Sequence, residues 1–204
     1  DKLAIMRELV DKLNQASDTY YNGKTEIMSD HEWDSIFDKL KRIEEETGIT
    51  LPDSPTINVS ADSIVGEKEE HEFPALSLAK TKSVADLAKW AEGKPIWLSW
   101  KLDGLTLVVT YDNGKLSKVV TRGDGHIGTN ITHLAAAIEG ILPRIKNTGH
   151  IVIRGEAIIS YSDFNVFNME MGEEYANPRN LASGSLTLKN INEVKSRHIH
   201  WIPF

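Results

Sequence analysis

The sequence predicts an α+β fold with mostly antiparallel sheets and flanking helices, preceded by a small N-terminal helical hairpin. Three observations carry this expectation. Apolar residues recur at helical spacing over the first 50 positions. After residue 93 the period shortens to that of strands, and the two longest runs meet at Asp112-Asn113-Gly114, a sequence suited to a tight antiparallel turn. No repeated βα pattern of the kind that builds a parallel sheet follows downstream.

The elements follow in order. Residues 2–15 place Leu3, Met6, Leu9, Val10 and Leu13 on one stripe, which predicts a helix. Residues 18–23 read as a turn carrying Tyr20 and Tyr21. Ser29 followed by Glu32 is a capping-box pattern, and Gly48 is a good left-handed stop, so a second helix is expected between them. Its buried stripe is Trp33, Ile36, Phe37, Leu40 and Ile43. A hairpin of this size buries little core alone and is expected to pack on a neighbour. Residues 49–76 are interrupted by prolines and read as an extended linker. Ser83 and Asp86 open a short helix that ends at Gly93. Strands are expected at IWLSWKLDG, on both sides of the Asp112–Gly114 turn, at HIVIRGEAIIS and at the final HIHWIPF. Helices are expected at ITHLAAAIEGI and SDFNVFNMEM, and the tail then holds YANPRNLASGSLTLKN and INEVKSR before the last strand.

Composition narrows the function. The chain has 204 residues, 40% of them hydrophobic and 26% charged, which suits a folded domain. No apolar run approaches the roughly 20 residues needed to cross a bilayer, so no membrane partner is expected. There is no cysteine, which excludes disulfides, a thiol nucleophile and cysteine zinc sites. A reducing, cytoplasmic setting fits that absence. The net charge is −7 and uneven: the first hundred residues carry 20 acidic against 12 basic side chains, the rest 10 against 11. A chain this acidic is a poor non-specific phosphate binder, so any contact with nucleic acid is expected in the second half or in sequence beyond it. Opening on Asp1 and closing on Phe204 inside a strand-like run, the chain reads as a piece of something longer, expected to be a monomer.

Gly123, Gly125 and Gly128 spell a literal G-x-G-x-x-G between a strand and a helix-like run. A Rossmann oxidoreductase is therefore one alternative. Against it, the preceding strand belongs to an antiparallel hairpin, and Asp124 places a negative charge where a pyrophosphate would rest. A different chemistry centres on Lys101-Leu102-Asp103-Gly104. Strand alternation puts Lys101 and Asp103 on one face, and Gly104 permits a close backbone approach. An ordinary lysine is protonated at neutral pH and attacks nothing until burial among other cations lowers its pKa. Alone, the four residues read more readily as a strand end with a surface lysine, since most lysines are solvated. His198 and His200, with no third ligand in view, read as ordinary residues.

The motif has company. YYNG lies near Tyr20, SDHEWD runs from Ser29 to Asp34, DSPT starts at Asp53 and HEFPALSL at His71. TRGDGHIGTNIT, IRGEAII and YANPRNLASGSL follow KLDG. In this order and spacing, through most of its length, the chain resembles the NAD-dependent DNA ligases of bacteria.

That resemblance implies a nucleotidyltransferase domain. It divides the chain into a hairpin over 1–50 that recognises the nicotinamide nucleotide half of NAD, a linker and start of the catalytic lobe over 51–76, and a partial adenylation domain over 77–204. It implies that Lys101 attacks the α-phosphate of NAD, that AMP becomes attached to its nitrogen and that nicotinamide mononucleotide leaves. Transfer of AMP to a nick in duplex DNA would follow in the full-length protein, with Mg²⁺ assisting. Tyr21, Asp30, Trp33 and Asp34 match the nicotinamide-side positions, with Trp33 where a tyrosine is usual. An aromatic face there suits a cationic ring, although without the resemblance these aromatics read as packing. Ser77 and Leu78 match residues lining the adenylate site, Arg122 an arginine that contacts the nucleotide, and Glu156 an acidic group near the ribose; Asp103 belongs to the lysine motif itself. Ser99 departs from the usual glutamate near adenine, and Thr187 from a usual arginine. These departures and the missing later motifs imply a chain with weak or no activity of its own. They also keep open a non-catalytic module that binds NAD or a nick.

Overall fold

The computed structural model describes residues 2–21, 26–57, 64–171 and 175–204. Helix α1 (Lys2–Tyr21) and helix α2 (Asp30–Thr47) form the expected hairpin. α1 extends to Tyr21, so part of the expected turn is helical; residues 22–25 lie outside the described part. Both halves of the capping box are made: the Glu32 N–H donates to Ser29 Oγ, and the Ser29 N–H to the Glu32 carboxylate at 3.1 Å. Gly48 ends α2 with a φ of 67°. Met6, Leu9, Val10, Leu13 and Leu40 make a small core of their own, with Trp33, Ile36, Phe37, Ile43 and Leu51 packed against it.

The DSPT motif has a structural use. Ser54 Oγ and Thr56 Oγ1 donate to the two oxygens of the buried Glu44 carboxylate, at 2.7 and 2.6 Å. Arg7 pairs with Asp53 at 2.7 Å, and Asn14 donates to the Asp53 carbonyl at 2.8 Å. Both oxygens of a buried carboxylate are thereby satisfied, and the exit of α2 is held against α1.

The main body is a four-stranded antiparallel sheet in the order β3-β2-β5-β6. Its strands are β2 (Leu105–Asp112), β3 (Lys115–Thr121), β5 (Ile151–Ile158) and β6 (His200–Pro203). Asn113 and Gly114, at φ 51° and 73°, turn the β2–β3 hairpin as their sequence demands. A smaller antiparallel pair joins β1 (Lys68–Glu70) to β4 (Ile127–Thr129), so a strand forms where extended linker was expected. Lys118 of β3 ties the two sheets by pairing with Glu69 at 2.6 Å.

Helices α4 (Tyr161–Met171), α5 (Pro178–Ser185) and α6 (Ile191–Lys195) flank the large sheet. Its covered face buries Leu107, Val109, Tyr111, Val119, Ala157 and Trp201 against Leu134, Leu181, Val194 and Ile199. The helix expected over 131–141 is a short 3-10 turn, Thr132–Ala137. Helix α3 (Val84–Ala91) starts at its predicted cap, Ser83, and buries none of its residues.

IWLSWKLDG is not a strand. Residues 95–103 run irregularly, leaving Trp97 96%, Leu98 93% and Trp100 90% exposed. The reason is geometric. β2 starts at Leu105, opposite Ala157, and β5 ends one residue further on at Ile158. The residues before Gly104 therefore have no described strand to pair with, whatever their intrinsic preference.

Candidate active site

The face of the large sheet turned away from the helices carries a row of polar side chains. Thr106 lies opposite Glu156 in the register, and the Arg122 N–H donates to the Thr106 carbonyl at 3.0 Å. Arg122, just past the end of β3, thus stands beside Thr106 of β2 and Glu156 of β5. Glu156 is 8% exposed, and both of its oxygens are engaged. The Gly104 N–H donates to Oε1 at 3.1 Å, and the Thr106 hydroxyl to Oε2 at 2.8 Å. Burial pushes this carboxyl above its ordinary range, against the opposing pull of Thr106, Arg179 and the Gly104 N–H. Gly104 is required at the contact, because a Cβ there would stand 2.2 Å from the Ala157 carbonyl oxygen.

One residue earlier, Asp103 joins three elements. Tyr20 of α1 donates to its Oδ2 at 2.9 Å, and Arg179 of α5 to its Oδ1 at 2.9 Å. The Arg179 guanidinium also lies 5.4 Å from the centre of the Tyr20 ring. Burial, and then the Asp103 charge, push the Tyr20 phenol well above its ordinary value, so it remains a donor. Neither Tyr20 nor Arg179 stood among the sequence-predicted site residues. The signal for Arg179 was present: Asn177 caps α5 and Pro178 opens it, so the next residue is held at a rigid helix start.

Lys101 is exposed and, among the described residues, makes no hydrogen bond or ion pair. The burial among cations expected for a nucleophilic lysine is not assembled around it: it sits on the irregular segment, whereas Arg179 is engaged by Asp103. Ser77, Leu78 and Ser99 are also exposed, and no described hydrogen bond joins them to the Arg122–Glu156 row. Residues 71–75 do reach it. The His71 and Ala75 N–H groups donate to the carbonyls of His126 and Gly125, both at 2.7 Å, while the His71 ring meets the Arg122 carbonyl at 3.0 Å.

On the hairpin, Asp30 opens α2 and is exposed. Trp33 and Asp34 are half-buried one turn on; the Tyr21 side chain lies outside the described part. The Trp33 indole stacks on Phe37, centres 4.9 Å apart, and its Nε1 donates to Ser17 Oγ at 3.2 Å. Asp34 faces Lys80 at 3.4 Å and Lys82 at 3.3 Å. Burial opposes its charge, but the hydrogen bond from Lys82 and the charge of Lys80 hold its carboxyl below the ordinary range.

The glycine motif is not a Rossmann turn. It connects antiparallel β3 to β4, and Asp124 Oδ1 turns inward to accept the His126 and Ile127 N–H groups at 2.9 and 2.8 Å. Gly123, at φ 58°, leaves no room for a Cβ, which would overlap the Ile127 carbonyl oxygen. A cleft of about 360 Å³ lies one rung along the face turned away from the helices, beside Val108, Arg154, Phe73 and Phe204, and none of the expected site residues lines it. His198 and His200 share Glu139, at 3.7 and 3.4 Å. Among the described residues no group of three His, Cys, Asp or Glu side chains could hold a metal ion. No described helix is long and apolar enough to cross a membrane.

Comparison with known proteins bears on this arrangement. Residues 66–204 match the family model described as the NAD-dependent DNA ligase adenylation domain, and residues 2–60 the model described as the DNA ligase-like, N-terminal NAD+-binding domain. A protein named DNA ligase from Ruminiclostridium cellulolyticum is 43% identical over 208 residues, covering 100% of this chain and 32% of the relative. One from Lachnoclostridium phytofermentans is 44% identical over 202 residues, covering 97% and 31%. One from Leptospira biflexa is 34% identical over 192 residues, covering 91% and 29%. The chain thus spans about a third of the length of the curated relatives it matches.

Proposed function

Since the chain belongs to the NAD-dependent DNA ligase adenylation domain family, we propose that it carries the self-adenylation half-reaction of nick sealing, with NAD as co-substrate. Lys101 Nζ, after losing a proton, attacks the α-phosphorus of NAD. A nitrogen–phosphorus bond to AMP forms, the pyrophosphate oxygen–phosphorus bond breaks, and nicotinamide mononucleotide leaves with that oxygen. In a longer protein, AMP would then pass to the 5′-phosphate of nicked duplex DNA and be displaced by the 3′-hydroxyl.

The observation that carries the reading is the junction at Asp103. It ties the hairpin, through Tyr20, and α5, through Arg179, to the residue two places after the lysine. The nicotinamide-side candidates Tyr21, Asp30, Trp33 and Asp34 therefore belong to an element fastened beside the attacking group. Such fastening suits a reaction that must hold two halves of one dinucleotide in line. Arg122 and Arg179 supply the positive charge that a phosphoryl-transfer transition state requires. Glu156 fixes Gly104 and so the point from which the lysine segment departs. Ser77, Leu78 and Ser99 would border adenine and ribose once residues 95–103 are held in place.

Mg²⁺ is the usual helper of such chemistry, and when bound it would neutralise phosphate charge. Among the described residues no group of three His, Cys, Asp or Glu side chains forms a site for it. The test is covalent labelling by adenine-labelled NAD: label that disappears in Lys101→Ala supports the proposal, and reversible binding without label supports a non-catalytic module.

A further inference from the structure

Next to the residues assigned to nicotinamide, the chain supplies a cation of its own. The Lys80 ammonium lies 5.0 Å from the centre of the Phe37 ring and 5.9 Å from that of Trp33. It also reaches Asp34 Oδ1 at 3.4 Å, while Lys82 takes Oδ2 at 3.3 Å. Two stacked aromatic rings and a carboxylate form a box with the two features that attract a single positive charge, ring faces and a counter-ion. An oxidised nicotinamide ring is a flat cation of the same charge. The three separations put Lys80 on the side of the Trp33 indole that Phe37 covers, so a cation taking its place would sit beside the ring pair and Asp34.

We propose that Lys80 is a built-in placeholder in the nicotinamide subsite, displaced by the cationic ring of NAD and so setting how strongly the site prefers that ring over its neutral, reduced form. The proposal rests on the reading of the hairpin as the nicotinamide-binding element. Lys80 lies on the irregular stretch that also carries Ser77 and Leu78, the residues assigned to the adenylate side. Displacing it therefore links occupancy of one half of the dinucleotide to the segment beside the other. With 62% of its side chain exposed, Lys80 is held loosely enough to be exchanged.

The test uses the whole chain and Lys80→Met, which keeps the stem and removes the charge. Titration calorimetry with oxidised nicotinamide mononucleotide should show binding about fivefold tighter in the variant, the size expected from releasing one exposed cation–π contact and one exposed ion pair. Reduced mononucleotide, with its neutral ring, should gain less, because Asp34 then loses one counter-ion and acquires none. Equal weakening of both forms would make Lys80 a phosphate ligand and overturn the proposal, as would unchanged binding of the oxidised form. Amine labelling read by mass spectrometry separates nicotinamide binding from displacement of Lys80. Lys80 should label faster in Asp34→Asn without nucleotide, and faster in the parent with oxidised mononucleotide. If Asp34→Asn raises labelling and the mononucleotide does not, the nicotinamide reading fails and the placeholder role with it. If the mononucleotide binds with a tryptophan fluorescence change that Trp33→Phe abolishes, while Asp34→Asn leaves Lys80 unchanged, the placeholder alone is wrong.

Discussion

Replacing Glu156 probes the joint between the sheet and the lysine segment. In Glu156→Ala, the buried Gly104 N–H loses its acceptor and the Thr106 hydroxyl must turn elsewhere. An orphaned buried donor costs about 1–3 kcal/mol, so with the packing lost the expected destabilisation is about 2–3 kcal/mol. Glu156→Gln keeps an oxygen for the Gly104 N–H and presents its amide to the Thr106 oxygen, which can accept. Its cost is expected to stay below about 1 kcal/mol. The two variants also differ from the parent in pH dependence. Burial raises the Glu156 carboxyl above its ordinary value of 4.5, so the folded chain holds that proton more tightly than the unfolded one. The stabilisation this provides is complete below the ordinary value and is lost as pH rises through the folded value. Urea unfolding at about pH 4 and about pH 8 should therefore show the parent losing ground to Glu156→Gln at the higher pH. Equal destabilisation by alanine and glutamine, or a gap that ignores pH, would refute the buried-carboxylate joint.

Other outcomes follow from the same geometry. Gly104→Ala pushes a methyl into the Ala157 carbonyl and should cost about 1–3 kcal/mol in urea unfolding, with faster amide exchange at the start of β2. Tyr20→Phe removes the donor to Asp103, and hydrogen exchange in α1 should rise while the sheet stays protected. His150 sits between Asp112 at 2.6 Å and Glu72 at 2.8 Å, which raise its pKa from 6.5. Its contribution is present below 6.5 and lost as pH rises through the raised value, so the parent's Tm should fall across that window more than that of His150→Gln, and less so in high salt.

Much of the fold could be read along the chain because its determinants are local. The Ser29–Glu32 box, the Gly48 stop, the Ser83 cap and the Asn113-Gly114 turn each act over a few residues, and each forms. Residues 95–103 mislead because strand propensity is realised only against a partner, and β5 ends too early to provide one. The run at Thr132–Ala137 forms only a 3-10 turn, with Leu134, Ala135 and Ala137 buried in the core beneath the sheet. The site was legible as a set of motifs but not as an arrangement. Tyr20 and Asp103 lie 83 positions apart, and Arg179 meets Asp103 from 76 further on, so no spacing rule brings them together. Lys80 was invisible for the opposite reason: a lysine on an irregular stretch carries no signal until the ring it approaches is known.

Peptide mapping by mass spectrometry after incubation with NAD and Mg²⁺ puts the assignment of Lys101 at stake. AMP should be found on the peptide that contains Lys101, at low occupancy, and be absent from Lys101→Ala. AMP on another side chain, or none at NAD concentrations that saturate binding by titration calorimetry, would mean that this lysine is not the nucleophile.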